Sequence, residues 1–557
     1  MELQNPESQE DFDLGTDPSK KRRKLTRHLP GLAVFVFALA YFLPQAAFGV
    51  GSLFDEGIQV FGAERVLAGD TPYLDFYCIY GPGTFYWLAG LFKVFGVQLI
   101  VSRFNDAVIC ALTGSFIFTI CRKSGLANSW SLIPTMLFLA ALEGNMLKIV
   151  SPALMLLLAA GLRLSADLEQ NRRPIATGLL LGLAAVFRHD FGVFGFVASL
   201  LVISWPRDDS PEKKEIIRSS VSLVTGFLLV AGTVYGALLF AGFYAVFQNL
   251  VIYPSTFIPY RVLPYPIDQV ITQSQGLAAL LSDKNVFLSC AIAFFSISKL
   301  LVFTGPILTV LLLAPIVNRK LRGVLFQNKE RQTFFLYLVA LVIQFITYVT
   351  GRLDFWHLLP MFVLSLPIWI ILIHFYISRY RKVASLLRPI LFLLMSFMML
   401  NLAGIFFINI VNYQKGSPVK LKRAQGMVVD TGKESAGLFE IIHKLETDKR
   451  QTPIYVGAQR HDKVYVNAIM IYFLSGRRNA TYYYHLEPGI TTTRAVQENI
   501  IEDLISNQVD TVVLWDRDFV DEPNRSRESS GVTLLDEFID REYKRSTKIG
   551  VFMLKRK

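Results

Sequence analysis

Five carboxylates crowd into a short polar segment, 54–83, directly behind a run, 31–50, that carries no charge. They are Asp55, Glu56, Glu64, Asp70 and Asp75. A positioned carboxylate can take a proton from an attacking hydroxyl group, so this segment could hold a general base. The predicted catalytic residues are Asp55, Glu56 and Asp75. A second explanation stays open, because Asp is also a favoured helix N-cap and turn residue.

A second group of polar residues is mainly basic and borders other apolar runs. Arginine forks bind phosphate oxygens, and cations stabilise a phosphate that leaves with negative charge. The predicted phosphate-binding residues are Arg188, Arg352, Lys148, His357 and Arg261, with His189, Asp190 and Asp354 as supporting residues. Anchoring of arginine at lipid headgroups is the competing explanation.

The elements that must position these residues are membrane helices. Of the 557 residues, 52% are hydrophobic and only 18% are charged. Apolar runs on the scale of a bilayer's thickness recur as far as residue 411 and then stop. They predict about eleven spanning helices, at about 31–50, 99–121, 130–143, 149–164, 174–187, 191–206, 219–241, 286–317, 332–351, 357–377 and 389–411.

The basic loops predict the orientation of these helices. The cluster KKRRKLTRH at 20–28 places the N-terminus in the cytoplasm, and counting spans from there puts every strongly basic loop inside. The net charge of +12 therefore indicates membrane topology, and we expect no nucleic-acid partner. The aromatic segment 83–98 is predicted to lie in the outer interface, and 242–285 to form a long outer loop. We expect a multi-pass plasma (inner) membrane protein.

Three parts follow from this topology: a cytoplasmic tail (1–30), a transmembrane domain (31–411) whose first outer loop is 51–98, and an extracytoplasmic α/β domain (412–557). In the last part, strands are predicted at 453–457, 480–486, 510–515 and 548–555, and helices at 434–446, 497–508 and 534–543. The four cysteines are scattered and predict neither disulfides nor a metal cluster. No cofactor or metal is predicted with certainty, and a divalent metal ion stays open.

The chemistry-bearing residues gather at the outer ends of predicted helices. A transporter tends to place its ionisable groups near the middle of the bilayer and to break its helices there. The observed pattern favours a reaction at the outer membrane surface on a lipid-borne substrate. Two other functions remain as alternatives: a lipid-linked glycan transporter or flippase, and an inactive membrane scaffold subunit.

The first outer loop also carries a resemblance to a known family. Asp55 and Glu56 are followed by GDTPYLD at 69–75 and by the turn YGPG at 80–83, which leads into the interfacial segment. This pattern resembles the GT-C-fold membrane glycosyltransferases, in particular the protein O-mannosyltransferase and lipid A aminoarabinose transferase superfamily with its galacturonosyltransferase-like branch. The chain departs from the pattern at the turn, where the family has Pro-Pro.

Two further segments, GLLLGLAAVFRHDFG at 178–192 and GRLDFWHLLP at 351–360, are similar to later outer-face motifs of the same family. The resemblance covers about 30–410. It implies a GT-C-like fold and inverting transfer of a sugar from a polyprenyl-phosphate donor to a glycan, lipid or protein acceptor, among membrane lipids. It also implies that Asp55 is the catalytic aspartate.

Overall fold

Within the residues that the structure describes, eleven apolar helices form the membrane part of the chain. The structure is a computed structural model, and it describes residues 18–49, 52–142, 150–205, 212–272, 286–317, 323–379, 381–429, 433–516 and 522–557. Within these ranges seven helices are long and apolar enough to cross a membrane, and four are shorter. The predicted polytopic helical fold is confirmed. The eleven are α1 (Pro18–Ala46), α4 (Leu99–Lys123), α5 (Asn128–Leu142), α6 (Ser151–Glu169), α7 (Ile175–Phe187), α8 (His189–Ser204), α9 (Lys213–Arg261), α10 (Val286–Leu313), α11 (Lys329–Val349), α12 (Phe355–Arg379) and α13 (Arg381–Lys415).

Two kinds of packing hold these helices together. Large apolar side chains from α4, α6, α11 and α12 form one continuous buried core. Glycines allow closer approach between α7 and α9, where a Cβ at Gly178 would lie only 2.3 Å from the carbonyl oxygen of Leu223. Small residues at helix contacts are typical of membrane proteins, because lipid supplies no hydrophobic force between helices.

The helix α9 differs from its prediction. Its 49 residues would extend about 74 Å if straight, well beyond the roughly 30 Å of a bilayer core. The helix bends at Gly242, whose backbone leaves the helical region (φ −170°, ψ 75°). The prediction that an outer loop starts at 242 was therefore wrong, since the chain stays helical to Arg261. The second half of α9 lies against the first outer loop, because Gly242 approaches Leu74.

The first outer loop forms two short helices, α2 (Asp55–Leu67) and α3 (Gly83–Phe95). The helix α3 buries Phe85 and Phe92 and exposes Trp87 and Phe95. The segment predicted as an interfacial helix is therefore helical, with one packed and one exposed aromatic side; its place in the membrane interface stays a prediction.

The tail contains a small sheet. Its helices are α14 (Lys433–Thr447), α15 (Met470–Ser475), α16 (Arg494–Ser506) and α17 (Leu534–Glu542), and its strands are β1 (Ser417–Pro418), β2 (Val428–Val429), β3 (Tyr455–Ala458), β4 (Thr511–Trp515), β5 (Arg545–Ile549) and β6 (Phe552–Arg556). Four strands join in the order β3-β4-β6-β5, with β3 and β4 parallel and the other pairs antiparallel. The pair β1 and β2 is separate.

Two of the four strand predictions in the tail were wrong. The segment 548–555 was predicted as one strand, but it turns at Gly550 (φ +59°) and contributes to both β5 and β6. The segment 480–486 is not a strand but a buried irregular stretch. The backbone of this stretch makes hydrogen bonds that belong to no sheet. One example is the Tyr482 carbonyl, which accepts the N–H of Tyr77 at 3.0 Å.

The first outer loop and the tail share one hydrophobic core. The ring of Phe61 in α2 stacks on Tyr472 in α15, with centroids 4.8 Å apart. On the same helix a Cβ at Gly62 would lie 3.2 Å from the Tyr484 hydroxyl. The tail therefore packs directly on the segment that carries the predicted catalytic acids.

Candidate active site

Asp55 is the first residue of α2, and a short hydrogen-bonded turn fixes its position. The Ser52 hydroxyl donates to Asp55 Oδ2 at 3.1 Å and accepts the Asp55 backbone N–H at 3.0 Å. The residue at the N-cap is Phe54 rather than Asp55. The carboxylate therefore lies within the first turn of α2 and not at its N-cap.

The tail fixes the same turn from the other side. The backbone N–H of Met470 donates to the Leu53 carbonyl at 2.8 Å. This contact depends on Gly57, because a Cβ there would lie 2.7 Å from the Met470 nitrogen. The position of Asp55 is thus set jointly by the first loop and by α15.

Glu56 points to a different place. Both of its carboxylate oxygens accept from Arg103 in α4, at 2.6 and 3.0 Å, and the pair is nearly buried. Arg103 also donates to the carbonyl oxygens of Phe48 and Gly49, at 2.9 and 2.8 Å. The pair ties the end of α1, the start of α2 and the start of α4 together.

Asp75 lies near the opposite end of α2 from Asp55. Its carboxylate accepts the Thr71 N–H at 2.7 Å and is exposed, and its carbonyl accepts from Arg65 at 2.9 Å. Arg65 is ten residues from Asp55 along the helix, or about 15 Å. The structure does not bring Asp75 and Asp55 together.

The turn at 80–83 docks against the C-terminal end of α7. A Cβ at Gly81 would lie 2.4 Å from the carbonyl oxygen of Val186 and 2.6 Å from that of Phe187, so only glycine fits. This close approach brings Tyr80 beside Arg188, the residue that follows α7. Burial and the charges of Glu487 and Asp55 raise the pKa of the Tyr80 hydroxyl well above its ordinary value, and the charge of Arg188 offsets only part of this rise.

Arg188 holds Asp190 with a bidentate fork, with Nε to Oδ1 at 3.0 Å and Nη2 to Oδ2 at 2.6 Å. The guanidinium also lies over the ring of Tyr348 at 5.4 Å. The imidazole of His357 stacks on the same ring, with centroids 5.7 Å apart. Tyr348 therefore connects the ion pair of Arg188 and Asp190 to the cluster around Arg352. His189, which lies between Arg188 and Asp190 in the sequence, is partly buried.

The next cluster is centred on Arg352, between α11 and α12. Its Nε donates to Asp354 Oδ2 at 2.5 Å, and its two terminal nitrogens donate to Glu522 of the tail at 3.0 and 2.5 Å. Asp354 also accepts the backbone N–H and the Nδ1 of His357, at 2.9 and 2.8 Å, and so caps the start of α12. The hydroxyl of Tyr465 donates to Glu522.

Arg261, the last residue of α9, completes the group. Its Nε and Nη2 donate to Glu487 Oε2 at 3.2 and 3.0 Å, and its guanidinium lies 4.3 Å over the ring of Tyr465. Its own carbonyl lies 3.4 Å from Arg352 Nη1. Burial raises the pKa of the Glu487 carboxyl above its ordinary value, and the charge of Asp55 adds to this rise. The charges of Arg261 and Arg352 act in the opposite direction and offset part of it.

These contacts form one connected group. Asp55 lies near enough to Tyr80 and Glu487 to raise the pKa of each, and Arg188 lies near enough to Tyr80 to lower its pKa. Glu487 pairs with Arg261, whose carbonyl contacts Arg352. The ring of Tyr348 leads from Arg188 through His357 and Asp354 to Arg352. The predicted residues that the structure brings into this group are Asp55, Arg188, Asp190, Arg261, Arg352, Asp354 and His357. Lys148 lies outside the described residues.

Sequence reasoning missed the acids that the tail contributes. Glu487 lies 226 residues from Arg261, and Glu522 lies 170 residues from Arg352. Neither pair follows a helical or strand spacing, so no local pattern could have identified them. Within the described residues no three His, Cys, Asp or Glu side chains are grouped so as to hold a metal ion.

Comparison with known proteins finds similar solved structures but no similar sequence family. No family model matches the chain, and no curated protein matches it. The chain is similar to ArnT from Cupriavidus metallidurans bound to undecaprenyl phosphate, with a TM-score of 0.41 and 12% identity over 87% of this chain and 93% of the other. It is also similar to the Archaeoglobus fulgidus oligosaccharyltransferase in complex with zinc and sulfate, with a TM-score of 0.39 and 11% identity over 86% and 68% of the two chains.

Both structures are membrane glycosyltransferases of the GT-C class, the class that the first-loop pattern resembles.

Proposed function

We propose that the protein transfers a sugar from a polyprenyl-phosphate donor to an acceptor hydroxyl at the outer face of the membrane, with inversion at the anomeric carbon. The observation that carries this proposal is the joining of Asp55 to three arginines in one group at a single end of the membrane helices. A base and several phosphate-binding forks are what such a transfer requires.

In the proposed reaction, Asp55 accepts the proton of the acceptor hydroxyl as its oxygen attacks the anomeric carbon. The bond between that carbon and the phosphate oxygen breaks on the opposite face of the sugar, which gives inversion. The phosphate leaves on the polyprenyl lipid with one more negative charge. Arg188, Arg261 and Arg352 stabilise that charge, and preorganised cations of this kind act most strongly in a site that excludes water.

Glu56 and Asp75 take supporting roles in this proposal. Glu56, through Arg103, holds α2 against α4 and so positions Asp55. Asp75 stabilises the turn that leads from α2 towards Tyr80. A role for either carboxylate in proton transfer would require a rearrangement of these contacts.

The alternative of a lipid-linked glycan transporter is less well supported. The ion pairs of Arg188, Arg261 and Arg352 lie where helices begin or end, and a transporter concentrates such groups at broken helices in mid-membrane. An inactive scaffold has no evident need for a nearly buried network of this size, since unpaired or mispaired buried charge is costly.

The test is the turnover of polyprenyl-phosphate sugars by the purified protein and by Asp55→Asn. Asn keeps the shape and can still accept from Ser52, but it cannot take a proton. We expect turnover to fall by roughly 100-fold or more, with an unchanged melting temperature. Asp70→Asn is the matched control, since Asp70 is a partly exposed carboxylate that pairs with Arg65 in the same loop. Wild-type turnover by Asp55→Asn would show that another residue is the base.

A further inference from the structure

The tail places a carboxylate where the proposed function requires a phosphate. Arg352 offers the planar fork that binds phosphate oxygens in pairs. In the structure Glu522 fills that fork, with Oε2 3.0 Å from Nη1 and Oε1 2.5 Å from Nη2. A carboxylate and a phosphate present the same pair of acceptor oxygens to such a fork. Glu522 therefore occupies the position that a donor phosphate would take.

The charge of the group points in the same direction. Three arginines, Arg188, Arg261 and Arg352, stand with five carboxylates: Asp55, Asp190, Asp354, Glu487 and Glu522. Even with His357 counted as a fourth cation, the group has an excess of negative charge before any donor enters. An anionic phosphate would be repelled unless one carboxylate moved away or took up a proton.

Glu522 is the carboxylate best placed to move. Asp190 also accepts the backbone N–H of Phe191 at 3.0 Å, at the start of α8, and Glu487 is almost completely buried. The side chain of Glu522 is held by other side chains, namely Arg352, Tyr465 and Asn524. It belongs to the tail, so its movement leaves the membrane helices unchanged.

We propose that Glu522 is a displaceable occupant of the donor-phosphate site, which exchanges with the phosphate on Arg352 when a lipid-linked substrate binds. The inference rests on the proposed function and adds regulation to it. Without donor, Arg352 ties the tail to the outer end of α11. When the donor is bound, Arg352 binds the phosphate in place of Glu522. The contact between the tail and the membrane helices at Arg352 therefore depends on substrate.

Calorimetric titration of the full-length protein in detergent with farnesyl phosphate, and with farnesol as the phosphate-free probe, tests the exchange. In Glu522→Gln the competing charge is gone, so we expect farnesyl phosphate to bind roughly tenfold more tightly than in wild type, with farnesol unchanged. Glu528→Gln is the matched control, because it removes a charge from an exposed pair with Arg525 in the same segment. It should bind like wild type.

A second variant keeps the test valid if Glu522→Gln does not fold. Tyr465→Phe retains every charge and the ring under Arg261 but removes the hydroxyl that donates to Glu522, so farnesyl phosphate should bind roughly two- to threefold more tightly. Unchanged or weaker binding in the variants, with clear binding in wild type, would overturn the exchange and leave the proposed function intact. If wild type and variants did not distinguish farnesyl phosphate from farnesol, the proposed function would fail and this inference with it.

Discussion

A general base must be held in place without losing its capacity to take a proton. At Asp55 the Ser52 hydroxyl donates to one carboxylate oxygen at 3.1 Å and so orients the group. Glu56 has the opposite environment, because Arg103 grips both of its oxygens. Two adjacent acids in the sequence are thereby separated into a candidate for chemistry and a structural ion pair.

The arginines support a prediction about phosphate binding. If Arg188 and Arg352 bind the donor phosphate through their forks, Lys at either position keeps the charge but cannot grip two oxygens. Arg188→Lys and Arg352→Lys should each raise the donor KM, and the Gln variants should lose more turnover because the leaving phosphate is left uncompensated. The measurement is the donor dependence of turnover with saturating acceptor. Unchanged kinetics in both Lys variants would identify these arginines as headgroup anchors.

The Asp354 carboxylate supports a prediction about pH. Burial alone would raise its pKa, but the hydrogen bonds from His357 and the charges of His357 and Arg352 outweigh burial and hold the pKa well below its ordinary value. A carboxyl group whose pKa is depressed in the folded state stabilises the fold at pH values above its unfolded-state pKa. This stabilisation is lost as the pH falls from the unfolded-state pKa towards the folded-state pKa.

Asp354→Asn isolates that contribution, because Asn caps a helix about as well as Asp. We expect the variant to be less stable by about 1–3 kcal/mol at neutral pH. The difference should shrink as the pH falls below about 4, towards the folded-state pKa of Asp354. Thermal unfolding of both proteins in detergent across this range is the measurement. A difference that grew as the pH fell below about 4 would contradict the assigned sign.

At the scale of elements, the decisive contact is the docking of the 80–83 turn on the end of α7. Gly81→Ala would place a Cβ within 2.4 Å of the Val186 carbonyl oxygen and push Tyr80 away from Arg188. We expect a loss of stability of about 1–3 kcal/mol and reduced turnover, because overpacking shifts the backbone. Melting temperature and turnover are both measured.

Gly90→Ala is the matched control in the neighbouring helix α3. A Cβ there meets nothing within 4 Å, so Ala should leave turnover unchanged and stabilise the helix by up to about 1 kcal/mol. Equal behaviour of the two variants would mean that the turn has room to adjust and does not position the site.

The spanning helices could be predicted from the sequence, whereas several tertiary features of the tail could not. The spanning helices could be predicted because lipid requires long, uncharged, internally hydrogen-bonded segments. The irregular structure of 480–486 could not be predicted, because the aromatic residues of this segment favour a strand. Its backbone finds other partners only through tertiary contacts, such as the Asp503 carboxylate that accepts the Tyr482 N–H. The pairing of Arg261 with Glu487 could not be predicted either, because the two residues are 226 positions apart and meet only through the tertiary fold.

At the scale of the whole molecule, the two ends of the helices have different chemistry. Asp55, Arg188 and Arg352 stand at ends that the alternation of spans places on one side. At the other side Lys123 of α4 pairs with Glu330 of α11 at 2.8 Å, beside the basic loops. Basic loops favour the cytoplasm. The proposed orientation therefore places the candidate site and the tail outside, where a sugar must arrive on a lipid carrier.

The most direct test of the central claim is the class of sugar donor that the protein consumes. The purified protein, reconstituted in liposomes, is given a panel of labelled polyprenyl-phosphate sugars and, in parallel, nucleotide sugars, with release of polyprenyl phosphate as the readout. We expect release from at least one lipid-linked sugar and no consumption of nucleotide sugars. Consumption of a nucleotide sugar, or movement of an intact lipid-linked sugar across the bilayer without cleavage, would contradict the account.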